Sequence, residues 1–183
     1  MMAKRNPSLL FIAFLIICTL PLSYSFKPVY PVLSARPERS ASLLTLAVFS
    51  QVDSIIAFAK EFLGLPYIYA SANPKTGFDC SGFVWYVYAH YGIKVPRSSI
   101  DYETLGKEVC IDSCRKGDII VFTGTNAAIR HAGHVGIIIS NPGEDPRFIH
   151  SSSSKKHNGV VLSSFSDSPY YGKRFIKVVR VLR

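Results

Sequence analysis

Gly77-Phe78-Asp79-Cys80-Ser81-Gly82-Phe83-Val84 is the stretch on which the fold of this sequence turns. It sets a thiol at the head of a run in which Phe83, Val84, Val87 and Tyr91 recur at three- and four-residue spacing. A helix is therefore expected from Cys80 to about Tyr91, with Asp79 capping its free amides and Gly92 stopping it. On the first turn of such a helix the unsatisfied amides and the dipole favour thiolate over thiol, and the Cys80 amide points to where an oxyanion would form. Gly82 lets a substrate or a facing strand approach the backbone closely. The same features also fit a small buried hydrophobe, the commonest fate of a cysteine.

Upstream of this stretch, residues 40–63 are helical in pattern. Asp53 is the expected N-cap, Ile56, Ala59, Lys60 and Leu63 recur at helical spacing, Gly64 and Pro66 end the run, and a break is expected near Ser50. Downstream of Pro96 the texture changes to short β-rich segments at Asp118 to Thr123, His134 to Ser140, Arg147 to Ser151, Val160 to Phe165 and Phe175 to Leu182. The linkers are too short for crossover helices, so the sheet should be mainly antiparallel and the class α+β. Nothing is left over for a second domain.

The chain has 183 residues, 48% apolar and 18% charged, which excludes disorder, and no window repeats as a solenoid or heptad array would. Its net charge of +9 suits an acidic partner without choosing among nucleic acid, anionic lipid and a carboxylate-rich wall polymer. The N-terminus narrows the choice. Lys4 and Arg5 precede the apolar run Leu9 to Leu22, and Ser23-Tyr24-Ser25 supplies small residues before a cleavage point, so residues 1–25 read as a secretory signal peptide. The run is shorter than the roughly 20 apolar residues of a spanning helix and contains Pro21, so no stable membrane insertion is expected after cleavage. A lipoprotein reading would acylate Cys18, but Ile17 is bulky where such signals want a small residue. Cleavage after Ser25 removes Lys4 and Arg5 and leaves +7 in an exported compartment, where nucleic acid is not the expected partner. Residues 26–39, with Pro28, Pro31 and Pro37, read as an extended leader, and residues 40–183 as one domain with an N-terminal helix.

After cleavage three cysteines remain. Cys110 and Cys114 are close enough in sequence to close a small disulfide loop, or to stay reduced, and a zinc site there would need a second ligand pair at matching spacing. Cys80 is the odd thiol, and a thiol nucleophile needs a base and a group to orient that base. His90, near the end of the second helix, should meet only the helix dipole, and His157 reads as a solvated loop residue. His134 opens a strand in which Gly136 leaves the shared face uncrowded, and His150 ends the next strand across a Pro142-Gly143 turn. The two imidazoles can then share one face. His131, three residues before His134, is the competing base. Asp79 is better explained as a cap than as an acid, and Asp118 as a turn residue entering a strand.

Six segments in order, Leu65-Pro66-Tyr67, Gly77 to Val84, Val95-Pro96-Arg97-Ser98, Lys116-Gly117-Asp118 to Phe122, His134-Val135-Gly136-Ile137 and Phe148-Ile149-His150, resemble the NlpC-type family of bacterial cell-wall cysteine peptidases over about residues 52–183. The resemblance implies a papain-like core, with the nucleophile helix packed on a mainly antiparallel five- to six-stranded sheet. It implies hydrolysis of peptide bonds in peptidoglycan stem peptides, between D-glutamate and the diamino acid, without metal or organic cofactor. By matching positions Cys80 would be the nucleophile, His134 the base and then acid, and His150 the group that orients it. Tyr67 would donate to the oxyanion, with Tyr69 as the spare candidate. Ser81, Arg97 and Ser98 would border the substrate, the guanidinium suiting stem-peptide carboxylates, although Arg97 also fits a plain surface charge. His134 is favoured over His131 because the His-Val-Gly-Ile run matches.

One departure stands out. Family members usually carry Gly-Gly shortly after the Tyr, where this chain has Ala70-Ser71-Ala72, which puts one wall of the cleft in doubt. An amidase or acyltransferase on the same frame, or a wall-binding protein without activity, are the alternatives. Targeting without a separate wall-binding module would rest on the positive charge.

Overall fold

Helix α1 occupies residues 51–60 of the computed structural model, which describes residues 51–126 and 128–182. The expected signal peptide, the leader and the first part of the N-terminal helix, with its break near Ser50, lie outside the described residues. Val52, Ile55, Ile56 and Ala59 form the buried stripe of α1, one face of a 3.6-residue period. Lys60 and Leu63, counted in the sequence pattern, face outward. Asp53 is not an N-cap. The helix is already running at residue 51, so Asp53 sits in its interior and accepts an ion pair from Lys116 at 3.3 Å. Gly64, at φ 84°, supplies the left-handed residue after the last turn.

The remaining elements are β1 (Ala72–Asn73), β2 (Gly77–Phe78), α2 (Cys80–His90), β3 (Lys107–Val109), β4 (Ile119–Thr123), β5 (Ala132–Ile138), β6 (Arg147–Ser153), β7 (Asn158–Ser164), α3 (Pro169–Arg174) and β8 (Phe175–Arg180). β1 and β2 form a two-stranded ladder, and the other six strands make one antiparallel sheet in the order β3-β8-β4-β5-β6-β7. The five strands read from sequence are all present within a few residues. β1, β2, β3 and α3 were not anticipated.

Helix α2 starts where the sequence places it. The Asp79 carboxylate accepts from Gly82 N at 2.6 Å, which satisfies one of the free first-turn amides, and Gly92 follows the end at φ 71°. Its buried face is Phe83, Val84, Val87 and Tyr88, so Tyr88 takes the place expected for Tyr91; Tyr91 instead reaches Ser54 O at 2.8 Å. These side chains pack with α1 and with Ile119, Val121, Val135, Ile137, Ile149 and Val179 of the sheet. The alternate residues Ile120, Phe122, Ile138, Phe148 and Val178 form a second apolar layer under Tyr171 and Phe175. Both faces of β4 are therefore buried, which is why it reads as an unbroken apolar run rather than an alternating one. Each fully buried Phe or Ile contributes on the order of 1.5–3 kcal/mol, enough to lock α2 at one height on the sheet.

One polar tie fixes that height. Tyr88, with no exposed surface, donates its hydroxyl to Gly117 O at 2.6 Å, joining the middle of α2 to the turn that enters β4. Tyr88→Phe is expected to lower unfolding free energy by about 1–3 kcal/mol, because a buried carbonyl loses its partner while packing is kept. Urea unfolding followed by circular dichroism checks this; an unchanged midpoint would show the bond to be dispensable.

Candidate active site

Cys80 is the first residue of α2 and only 7% exposed. Its Sγ lies 3.9 Å from Gly133 O and receives the backbone amide of Val135, so the thiol meets β5 at the two residues that flank His134. Burial pushes the thiol up and the adjacent Asp79 carboxylate adds to it, against the amides of Val135, Ser81 and Cys80 itself, which pull it down. The expectation of a helix-end thiolate is thus opposed by desolvation.

His134 and His150 come together as the sequence suggested. Register pairs of Ile137 with Ile149 and Ile138 with Phe148 make β5 and β6 antiparallel neighbours, and His134 Nε2 lies 2.7 Å from His150 Nδ1. Both imidazoles share the sheet face of Phe122, Phe148 and Tyr171. Gly136 is what lets them meet. A Cβ there would lie 3.0 Å from Phe148 Cδ2 and 3.1 Å from His150 Cβ, so a side chain would push the second imidazole out of line.

The line continues outward. His150 Nε2 is 3.0 Å from Ser163 Oγ, and Tyr171 donates its hydroxyl to the same Oγ at 2.9 Å. Burial drives both imidazoles toward the neutral form, His134 well below its ordinary range and His150 down to about 3, with the positive charge of Arg174 acting in the same direction on each. His90, expected to meet only the helix dipole, and His131, the competing base, both lie outside this line. His90 stacks on Phe58 at 4.0 Å rather than serving the helix end alone, and His131 is 72% exposed, 3.5 Å from Glu103.

Around the head of α2 lies a tight polar cluster. Arg97 forks onto Asp79, Nη1 to Oδ1 at 2.9 Å and Nη2 to Oδ2 at 2.8 Å, and also reaches Ser81 Oγ, which itself donates to Asp79. The charge expected to wait for substrate, or to sit idle on the surface, is therefore already paired. Asp79 is cap and ion-pair partner at once. Ser98, exposed, makes no side-chain cap to the short 3-10 turn that follows it. Tyr102, without exposed surface, stands in the electrostatic neighbourhood of Cys80, Arg97 and Asp79, and its hydroxyl has no hydrogen-bond partner among the described residues.

Tyr67 is half-buried near the thiol. Its phenol is pushed up to about 12 by burial first and by Cys80 and Asp79 next, while its backbone amide donates to Asn158 Oδ1 at 3.1 Å. Tyr69 is 86% exposed. Between them and β1 the chain turns at Ala70, the one described non-glycine residue at positive φ, 58°. This is the segment whose composition departs from the resembled pattern. It cannot simply move aside, because Ser71 O accepts the Asp79 amide at 2.9 Å and a Cβ on Gly82 would approach that same oxygen to 2.2 Å.

Cys110 is exposed and Cys114 buried, and both are free thiols. Among the described residues no cluster of three or more His, Cys, Asp or Glu could hold a metal ion.

Sequence reasoning missed Arg174. This side chain, 5% exposed, closes the far side of the imidazole pair: Nε donates to Gly124 O at 2.8 Å, Nη2 to Thr123 O at 2.6 Å, and the guanidinium lies 4.4 Å above the Tyr170 ring. Ser168-Pro169, a cap followed by a proline at the first helical position, was the available signal that a helix here could carry it.

A model of the NlpC/P60 family matches residues 64–180. The Escherichia coli protein named Murein DD-endopeptidase MepS/Murein LD-carboxypeptidase is 37% identical over 111 residues, covering 60% of this chain and 53% of that protein. The Bacillus subtilis Gamma-DL-glutamyl hydrolase is 30% identical over 143 residues, covering 76% of this chain and 33% of that protein. Among solved structures, an NlpC/P60 family protein from Bacillus cereus superposes with a TM-score of 0.63 at 32% identity, over 72% of this chain and 40% of that one. The chain thus spans between a third and about half the length of these relatives.

Two measurements test the site as built. Because His150 is neutral in the folded state to about pH 3 but protonates near 6.5 when unfolded, stability is lost as pH falls below 6.5. Between pH 7 and pH 5 the wild-type loss should exceed that of His150→Gln by about 2 kcal/mol in paired urea titrations, and equal losses would show that the ring is solvated. At Ala70, relief of left-handed strain of about 1–2 kcal/mol outweighs the entropic cost of glycine, so Ala70→Gly should raise stability by about 0.5–1 kcal/mol where alanine-to-glycine changes ordinarily lower it. Thermal unfolding reads the sign.

Proposed function

The chain belongs to the NlpC/P60 family, and from that premise we propose that it is an exported cysteine endopeptidase that cleaves peptidoglycan stem peptides between D-glutamate and the diamino acid. The observation that carries the reading is the convergence on one strand. Cys80 meets the β5 backbone on either side of His134, whose ring is held by His150 at 2.7 Å. The bond assignment draws support from relatives in Bacillus cereus and Bacillus subtilis named Gamma-D-glutamyl-L-lysine dipeptidyl-peptidase, 44% and 36% identical over 70 and 83 residues. Export rests on the N-terminal sequence pattern and on the murein-directed names of relatives.

The chemistry needs one of the two tautomer sets that the hydrogen-bond line allows. Tyr171 donates to Ser163 Oγ, His150 Nε2–H can donate to the same oxygen, and His150 Nδ1 then accepts from His134 Nε2–H. That leaves His134 Nδ1 as the lone pair able to take a proton. Thiol and imidazole are both neutral at rest, so the proton passes from Sγ to Nδ1 as sulfur attacks the carbonyl. The oxyanion would be met by the Cys80 amide and the Tyr67 hydroxyl. The imidazolium then gives its proton to the departing amine, leaving a thioester. Water, deprotonated by the same nitrogen, hydrolyses that ester and regenerates the thiol. Ser81 and Ser98, beside the Asp79–Arg97 pair, would flank the acyl segment.

Digestion of purified peptidoglycan and its soluble stem peptides, with product masses read out, tests the proposal. Wild-type protein should yield fragments ending in D-glutamate, and Cys80→Ala should lose at least about a thousandfold of that activity, as removal of a nucleophile does. Equal fragments from both proteins would overturn the nucleophile, and no cleavage by wild type with a reduced Cys80 would move the reading to an acyltransferase or a binding protein.

A further inference from the structure

On the sheet face that carries the two imidazoles lies a cavity of about 760 Å³ that the steps above do not use. His134, His150, Lys156, Tyr170 and Arg174 are among the residues that line it, and Cys80 does not border it. The volume is that of a pocket for a small peptide segment rather than for a water.

Its charge is unbalanced. Among the described residues no carboxylate pairs with Arg174, although the side chain is only 5% exposed. Two backbone carbonyls take Nε and Nη2, and the Tyr170 ring covers one face of the guanidinium. Those contacts fix the direction of the fork and supply partial negative charge, but the unit positive charge remains. Burying an arginine without an anion is costly, and this one is buried where a solvent-filled cavity begins. The neighbouring imidazoles bring no negative charge, and Asp167 is the one acid in the lining, which also holds Lys156. The missing partner is an anion that enters from outside, and the planar fork suits a carboxylate.

We propose that this cavity is a carboxylate-binding subsite in which Arg174 receives a carboxylate of the peptide segment released by cleavage. The placement rests on the peptidase reading. His134 lines the cavity while Cys80 does not, and His134 would protonate the departing amine, so the cavity side of the imidazole is assigned to the leaving segment. Arg97, by contrast, is held by Asp79 on the side of the nucleophile helix. Arg174 thereby determines which segment may leave, and it also positions Gly124, whose backbone would lie 2.6 Å from a Cβ on Gly133, the residue against Cys80 Sγ.

The test uses two synthetic stem tripeptides identical except that the terminal residue of the released segment carries a free carboxylate in one and a carboxamide in the other. Binding to the full chain bearing Cys80→Ala, read by calorimetry, should favour the acid by at least about tenfold, the worth of a charge-assisted pair, and adding Arg174→Gln should erase the preference. In the active chain the same difference should fall on KM, with kcat for the two peptides within about twofold. A purely structural role for Arg174 would lower kcat for both peptides alike and leave the preference intact. Equal binding of acid and amide, or a folded Arg174→Gln variant that keeps the preference, overturns the proposal. Should that variant fail to fold, the Arg174 Nε–H resonance of the Cys80→Ala chain decides: it should shift with the acid and not with the amide, and silence with both overturns the subsite. Selective binding of the acid without cleavage by the active chain would overturn the peptidase reading and keep the subsite, whereas cleavage with no selectivity would do the reverse.

Discussion

The Asp79 carboxylate is the interaction on which the rest of the structure depends. One oxygen caps α2 through the Gly82 amide and takes the Ser81 hydroxyl, and both oxygens hold the Arg97 fork. Its backbone amide is in turn held by Ser71 O, so the turn at residues 70–72, the head of α2 and the start of the following segment are locked to one another. A carboxylate one residue from a thiol opposes ionisation of that thiol. The Arg97 guanidinium offsets this cost, and the arrangement therefore keeps a strong cap without leaving a bare negative charge beside Cys80. The Asp79–Arg97 pair is partly solvated, with the Arg97 side chain 39% exposed, so its value lies in geometry more than in stability.

From that anchor the sheet supplies the rest by alternation. Odd-numbered apolar residues of β5 face α2, and even-numbered positions bring His134 to the opposite layer, where Gly136 leaves room for His150. Two glycines perform a similar service at the end of the strand, since Gly133 and Gly124 approach too closely for any side chain at the former. The site is therefore built from missing side chains as much as from present ones. Ser151 adds a last constraint by donating to Phe78 O at 2.7 Å, which ties β6 to the residue just before the cap.

How much of this the sequence disclosed follows from the range over which each signal acts. α2, its cap and its stop were legible because helical period, Asp79 and Gly92 are local and agree. The five longer strands were legible as β-rich runs between turn residues. β1, β2 and β3 are two or three residues long and have no period to detect, and α3 is a six-residue helix marked only by Ser168-Pro169. Asp53 was misread because a good cap residue can equally sit inside a helix that begins earlier. Tyr88 displaced Tyr91 because the buried face is chosen by where α2 meets the sheet. His134 and His150 were legible as a pair from the Pro142-Gly143 turn, but Ser163 and Tyr171 behind them depend on β7 and α3 pairing at long range. Arg97 was seen, and its partner was not, because nothing in a sequence says that a cap carboxylate has a second claimant.

Desolvation decides the resting state of the site. Burial raises the Cys80 thiol and lowers both imidazoles, so desolvation opposes charge on either partner. Three first-turn and strand amides pull the thiol the other way, yet each weighs less than burial, and the helix end alone does not win. Arg174 pushes in a second direction at once: its positive charge disfavours an imidazolium at either histidine while favouring an anion on Cys80, whose charge it senses in turn. An anion that neutralised this guanidinium would lift the penalty on the imidazolium and withdraw the support for the Cys80 anion together, so the two effects offset. On the proposed reading the charge that completes the cavity therefore acts on recognition of the leaving segment, while the proton balance between sulfur and the dyad is left nearly as it was.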